Sequence, residues 1–175
     1  MRTSETLAGD LVKGAAAGAG AVWIMDRLDW WMVEHEDPRS WQRTQEVRPN
    51  HQDPAHNLAG MAAEAVGLDP PSQPHPAGIA VNYAIGMAPA ALYAASRKHL
   101  PGGVVIRGLA YGLAMFLIED EVLNPALGVA APPQNYPWQA HARGLVAHLA
   151  LGLATEAVLA ALDPPKVGRA EPELS

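Results

Sequence analysis

The residues from 78 to 95 contain no charged side chain, and this almost wholly apolar run constrains the fold more than any other feature. A helix with no polar stripe has to be covered on every face, by protein or by lipid. A membrane-spanning helix needs about 20 mostly apolar residues. A chain of 175 residues offers few places to bury such a helix completely. We therefore predict a membrane-spanning helix over residues 78–97.

Three other segments, 7–31, 103–119 and 138–162, are also rich in apolar residues. No part of the chain alternates apolar and polar residues with the period of two that a half-buried strand needs. The sequence therefore predicts an all-α fold, a four-helix transmembrane bundle. A soluble four-helix bundle is the alternative, because the mean hydropathy is only −0.01 and three of the four segments contain charges.

A polar, proline-rich region separates the first two apolar segments. We predict outer loops over residues 34–75 and 119–137, a flexible tail over 163–175, and one integral membrane domain for the whole chain, 1–175. Within the first loop, Asp53 and Pro54 indicate the start of a short amphipathic helix over residues 54–66. Its apolar residues recur at helical spacing: Leu58, Met61, Ala62, Ala65 and Val66.

Small residues recur at a spacing of four in three of the apolar segments. In lipid, helices associate through close van der Waals approach, which small residues on one face allow. We predict that six glycines pack the helices together: Gly14, Gly18, Gly78, Gly86, Gly108 and Gly112.

Charge and composition exclude several classes of function. The formal net charge is −6, whereas a nucleic-acid partner favours a basic face. The chain has no cysteine, which excludes disulfides, thiolate metal sites and cysteine nucleophiles. It has no phosphate-binding loop, no complete dinucleotide fingerprint and no Gly-x-Ser-x-Gly motif. We therefore predict no enzymatic activity and no cofactor.

Lysine and arginine collect on the cytoplasmic side of membrane proteins. Here they precede the first apolar segment and follow the second and the fourth, which places both termini in the cytoplasm. The arginines of the first loop count against this topology. The cations concerned are, in order, Arg2, Lys13, Arg97, Lys98, Lys166 and Arg169 in favour, and Arg39, Arg43 and Arg48 against.

Three stretches of sequence carry a resemblance to a known family. They are residues 13–26 (KGAAAGAGAVWIMD), residues 75–78 (HPAG), and residues 124–141, which begin NPALG and end YPWQAH. In these, the chain resembles the YagU-like inner membrane proteins, a bacterial family of unknown function. The resemblance covers about residues 7–163. It implies a small multi-pass protein of the bacterial inner membrane, with a loose association with acid tolerance and no catalytic residues to transfer.

The predicted topology places most of the histidines on the outer side of the membrane. Imidazole and carboxylate are the ligands of zinc, copper or nickel where no thiolate is present. The candidate metal ligands are His35, His56, His75 and His141, although no pair of them has a recognised ligand spacing. A mid-helix His148 also raises the possibility of haem, but no second histidine is expected at its depth.

Ionisable residues inside a membrane are costly and often mark ion or proton paths. The candidates are Asp26, Arg107, His148 and Glu156. The alternative is that Arg107 and Glu156 pair or extend toward the helix ends, and that His148 is a neutral hydrogen-bond donor.

We predict a structural or accessory membrane component, linked through the resemblance to acid or envelope stress. The alternatives are a proton or ion conduit or pH sensor, and a metal-binding membrane protein. The expected partners are the lipid bilayer and either further copies of the chain or a larger membrane complex. No nucleic acid is expected.

Overall fold

The computed structural model describes residues 4–163, and the regular structure within that range is entirely helical. The predicted all-α class is confirmed. Except for Asp163, the predicted tail over residues 163–175 lies outside the described residues.

The helices follow one another with short connections. The first five are α1 (Ser4–His35), α2 (Pro38–Val47), α3 (Pro54–Ala65), α4 (Pro76–Ser96) and α5 (Val104–Met115). From α5 the chain continues as a π-helix (Phe116–Leu123), a single turn α6 (Asn124–Ala126) and, after a loop, α7 (Trp138–Leu162). Three 3-10 turns lie between them, at Pro49–His51, Arg97–His99 and Pro133–Asn135.

Three helices begin in the same way, with proline in the first turn after a capping side chain. The caps of α2, α3 and α4 are Asp37, Asp53 and His75, and each accepts a hydrogen bond from a backbone N–H of the first turn. Proline fits there because the first N–H groups of a helix have no partner within it. The two aspartates and the histidine therefore fix where these helices start.

The polar region contains one helix more than the sequence predicted, because α2 was assigned to a loop. The helix predicted over residues 54–66 is present as α3. It buries small and polar residues, among them Ala55, His56 and Asn57, and it exposes Met61 and Val66. Packing against α4 selects this face, because Gly78 of α4 leaves room only for the ring of His56.

The predicted third segment ended at residue 119, whereas the helix continues through the acidic triplet to Ala126. The loop that follows is correspondingly shorter than the predicted one over 119–137. The fourth predicted segment coincides with α7.

The four long helices form a bundle in which α1 packs on α4 and α7, and α7 packs on α1 and α5. The six glycines predicted for packing are all buried. Five of them lie in these contacts, and Gly78 packs on His56 of α3. A Cβ on Gly14 would lie 2.5 Å from the Ala90 carbonyl oxygen, and a Cβ on Gly18 would lie 2.7 Å from the Ala90 Cβ. The missing side chains therefore let the helix backbones approach closely.

Two described helical stretches are long and apolar enough to cross a membrane, Pro76–His99 and Trp138–Leu162. The sequence had predicted four spans. Only 28% and 39% of the apolar windows of these two stretches are buried inside the protein. Most of the apolar part of each stretch therefore lies outside the core of the described structure.

The first and last described parts of the chain meet at one end of the bundle, which we call the basal end. Lys13 of α1 contacts Asp163 after α7 at 2.6 Å, and Lys98 after α4 contacts Asp10 at 3.2 Å. The opposite end, which we call the cap end, is covered by α2, α3 and the loop over residues 127–137.

Candidate functional site

The basal end holds a buried carboxylate with three donors, which we call the Glu156 cluster. Glu156 is fully buried and accepts hydrogen bonds from the Tyr93 hydroxyl at 2.8 Å, Arg97 at 3.0 Å and Arg107 at 2.9 Å. These donors come from α4, the turn after it, and α5. The cluster therefore joins three parts of the chain through one side chain of α7.

A second layer of charges surrounds Arg97, which is only 5% exposed. Its guanidinium also donates to the Leu159 carbonyl at 2.8 Å and to Asp163 at 3.3 Å. The hydrogen bond from Lys13 lowers the pKa of the Asp163 carboxyl below its usual value, with Lys98 adding to the effect and burial opposing it. The basal charges are thus matched by partners of opposite sign.

At the cap end, a cavity of about 560 Å³ opens between the long helices and the capping segments. We call it the cap cavity. Its wall carries the carboxylates Asp26, Asp29, Asp53, Glu119, Asp120 and Glu121. It also carries the aromatic side chains Trp23, Trp30, Trp41, Tyr83, Phe116 and Tyr136. Cavities of this size accommodate small organic ligands.

The π-helix supplies the three consecutive acids Glu119, Asp120 and Glu121, and all three line the cap cavity. π-Helical segments are rare and are found often at functional sites. His148 faces two of these acids from α7, with Nδ1 3.5 Å from Asp120 and Nε2 3.9 Å from Glu119. His141, about two helical turns earlier on nearly the same face of α7, contacts Glu121 at 2.7 Å.

Arg143 is the most heavily engaged cation of the cap cavity. It is 7% exposed, donates to Asp29 at 3.0 Å and to Glu36, and lies over the ring of Trp41. Arg48 also lies over Trp41 and hydrogen-bonds Gln45. Burial lowers the pKa of the Arg48 guanidinium, while the nearby Asp53 carboxylate raises it. An arginine remains charged at neutral pH even so.

The buried side-chain amide of Asn57 connects the segments that cover the cap end. Asn57 of α3 donates to the carbonyl oxygens of Pro49 and Val129 at 3.0 Å each, and it accepts from Asn50 at 3.0 Å. The capping segments therefore form one layer, held by hydrogen bonds between residues that are distant in sequence.

The predicted set of intramembrane polar residues divides into two. Arg107 and Glu156 meet in the Glu156 cluster, while Asp26 and His148 both line the cap cavity. The contact of Asp26 is the Asn82 amide, at 3.2 Å. The set therefore belongs to two polar regions at opposite ends of the bundle.

The histidines proposed as metal ligands are engaged with other partners. His56 contacts Asp53 at 2.8 Å through Nδ1, and its Nε2 accepts the His75 backbone N–H at 3.1 Å. His35 contacts the Trp31 carbonyl oxygen, and His141 contacts Glu121 and the Pro133 carbonyl oxygen. Within residues 4–163, no three histidine or carboxylate side chains converge as a metal site requires.

Sequence reasoning missed several members of these clusters. Arg97 counted only toward topology, and Tyr93 and Arg143 had no assigned role. Their partners lie far away in sequence, 59 residues for Arg97 and Glu156 and 63 for Tyr93 and Glu156. The available signal was Glu156 itself, because a carboxylate inside an apolar helix needs a cation or donor from another helix.

The chain was also compared with known proteins, and no family model, no curated protein and no solved structure matches it.

Proposed function

We propose that this chain is a multi-pass protein of the bacterial inner membrane, with α1, α4, α5 and α7 as its spans. One observation carries the proposal: the described bundle buries several charged side chains and exposes many large apolar ones. Glu156, Arg97 and Arg143 are buried, whereas leucine, isoleucine, valine and tryptophan side chains cover the surface. A soluble protein distributes these residue types in the opposite way.

The outer face of α5 and the π-helix is the clearest part of this surface. Val105 and Ile106 are 61% and 64% exposed, and the apolar face continues through Leu109, Leu113, Leu117, Ile118, Val122 and Leu123. The continuous helical stretch over residues 104–126 is roughly 35 Å long at 1.5 Å per residue, which is enough to cross the hydrocarbon core of a bilayer, about 30 Å thick. The acids of this stretch face the cap cavity, so the lipid-facing side stays apolar.

α1 carries too many charges to qualify as a span by composition alone, but their placement reconciles it with a bilayer. At the basal end, Asp10 pairs with Lys98 and Lys13 pairs with Asp163. The remaining charges of the helix centre, Asp26, Arg27 and Asp29, line the cap cavity. The exposed Trp30, Trp31 and Trp138 lie toward the cap end, as interfacial tryptophans do. We assign the basal end, with both termini, to the cytoplasm.

Within that membrane, we propose a structural or accessory role without catalysis, as a homo-oligomer or as part of a larger complex. The resemblance to the YagU-like proteins supports the location and connects it to acid or envelope stress. The dense packing of small residues between α1 and α4 suits a scaffold that keeps one conformation.

The membrane proposal is tested by extraction and topology. Because the chain has no cysteine, single cysteines can be introduced without altering the background. We expect the protein to remain in the membrane pellet after alkaline carbonate treatment. We also expect Ser72→Cys to react with an impermeant maleimide from the periplasm, and His99→Cys to react only after lysis. A protein that is monodisperse without detergent would contradict the proposal.

The cap cavity favours a second candidate function, a proton or cation conduit or a pH sensor. His148 and the acids around it are titratable groups that face one another across helices. In proteoliposomes carrying a pH-sensitive dye, the conduit predicts a proton flux that His148→Gln abolishes. A structural component predicts no flux above that of empty vesicles, and a His148→Gln variant with the wild-type pH response.

A further inference from the structure

The cap cavity has an excess of negative charge that its own cations do not balance. Carboxylates outnumber guanidinium groups in its wall, and the guanidinium groups are Arg27, Arg48 and Arg143. Arg143 is committed to Asp29 and Glu36. Within residues 4–163, no lysine or arginine forms an ion pair with Asp26, Glu119 or Asp120. The basic side chain that faces Glu119 and Asp120 is His148, at 3.9 and 3.5 Å, and Asp26 accepts from the Asn82 amide.

The same wall presents aromatic rings to the cavity. Trp30 of α1 is 63% exposed. Tyr83 of α4 and Phe116 of the π-helix line the same cavity. Two rings already hold cations of the protein: Arg27 lies 5.0 Å from the centre of Trp23, and Arg143 lies 5.0 Å from the centre of Trp41. Aromatic faces attract cations, and combinations of rings and carboxylates recognise substituted ammonium groups.

The size and chemistry of the cavity exclude the simpler ligands. A bare metal ion needs a tight set of ligands, and within the described residues no such set is present. An anion would face the carboxylates. A neutral apolar molecule would leave the acid side of the wall without a partner. A volume of about 560 Å³ accommodates a molecule with an organic body.

We propose that the cap cavity binds an organic cation, an amine or quaternary ammonium compound with an apolar or aromatic body. The ammonium group lies among Asp26, Glu119 and Asp120, and the body packs on Trp30, Tyr83 and Phe116. Binding from solution needs only the folded cap end, so this inference does not depend on whether the protein is structural or conducting.

The direct test compares two molecules of the same shape and different charge, 3-hydroxyphenyltrimethylammonium and its neutral isostere 3-tert-butylphenol. Equilibrium dialysis against the full chain in lipid nanodiscs, with empty nanodiscs as the blank, measures the binding of each. We expect saturable binding of the ammonium compound and at least tenfold weaker binding of the phenol. Equal binding of both, or no saturable binding of the ammonium compound, overturns the proposal.

Variants locate the site. Asp26→Asn/Asp120→Asn removes two lining carboxylates, and Glu46→Gln/Glu64→Gln makes the same change of net charge at exposed positions outside the cavity. We expect the first pair to weaken binding at least tenfold and the second to leave it unchanged. Equal effects of the two pairs would show attraction by net charge alone, and would overturn the proposal.

A second comparison covers the case in which the charge variant fails to fold. Trp30 lines the cavity, whereas its neighbour Trp31 is 56% exposed and stacks on His35 outside it. We expect Trp30→Leu to weaken binding of the ammonium compound by about three- to tenfold, and Trp31→Leu to have no effect. The reverse order would place the ligand elsewhere. Should the membrane proposal fail, the same dialysis in detergent-free buffer still tests the cation site.

Discussion

Glu156 is the residue on which the basal end depends. It is fully buried, and its carboxylate accepts from Arg97, Arg107 and Tyr93. Taking a carboxylate and a guanidinium out of water is costly, and only good geometry with satisfied hydrogen bonds offsets the cost. The cluster therefore stabilises the fold only as a complete set.

We expect Glu156→Gln to destabilise the protein by about 3–5 kcal/mol, because it leaves the buried Arg97 without its main counter-charge. Thermal or denaturant unfolding in mild detergent measures the change, with the exposed Glu64→Gln as a control that stays within about 0.5 kcal/mol. The double variant Glu156→Gln/Arg97→Gln is expected to lose less than the sum of the single variants. Additive losses would mean that the two side chains do not interact.

Asp163 gives the basal end a pH dependence. Its pKa is lowered in the folded protein, mainly by the hydrogen bond from Lys13. Its contribution to stability is therefore present above the unfolded pKa, near 3.8, and is lost as the pH falls through the lower folded value. We expect Asp163→Asn to lower the melting temperature at pH 7, and to lower it by less as the pH falls below 3.8 toward the folded pKa. A difference that is as large at pH 3 as at pH 7 would assign the effect to the lost hydrogen bond instead of the charge.

At the level of elements, the contact between α5 and α7 is made by glycines facing backbone. A Cβ on Gly112 would lie 2.9 Å from the Leu149 Cα and closer still to the His148 carbonyl oxygen. Neither neighbour can move without moving α7. The distance between these helices is therefore set by the missing side chains.

We expect Gly112→Ala to destabilise the protein by about 1–3 kcal/mol through overpacking. Gly20→Ala is the matched control, because Gly20 also lies inside a helix and a Cβ there would meet nothing within 4 Å. That control should be neutral or slightly stabilising, since alanine favours helix by about 1 kcal/mol over glycine. Unfolding in detergent measures both, and equal effects would refute the close-packing account.

The sequence predicted the long helices well where apolar runs end in strong boundary signals. Pro137 and Asp163 delimit α7, and the predicted and observed bounds coincide. The continuation of the helix beyond residue 119 was missed, because the acids after Ile118 look like a solvent-exposed boundary. In the structure these acids face the cap cavity. α2 was missed although its Asp37–Pro38 start is the same signal that revealed α3 at Asp53–Pro54.

Of the two polar regions, the sequence could reveal single charged residues but not their partners. Glu156 and Arg107 stand out because a charge inside an apolar helix is unusual, and this identified them singly. Which groups they meet depends on how the helices pack, and the sequence carries no local trace of that. Arg97 looked like the end of a span, yet it lies buried against Glu156 and the Leu159 carbonyl.

At the level of the whole molecule, the decisive property is what surrounds the bundle. Leu113 lies midway along the exposed apolar face of α5 and is 43% exposed. In water, replacing an exposed leucine with lysine changes stability by no more than about 0.5 kcal/mol. At the centre of a membrane span, a lysine costs about 2.5–3.5 kcal/mol in insertion.

We therefore expect Leu113→Lys to reduce sharply the fraction of the protein that resists carbonate extraction and elutes as a single peak in detergent. Gln42→Lys introduces the same charge on an exposed position of α2, in the cap, and should behave like the wild type. Because the two variants differ only in where the charge is placed, equal behaviour would mean that the face of α5 meets water. A selective loss in Leu113→Lys means that lipid covers this face, which explains why the charges of the bundle lie inside.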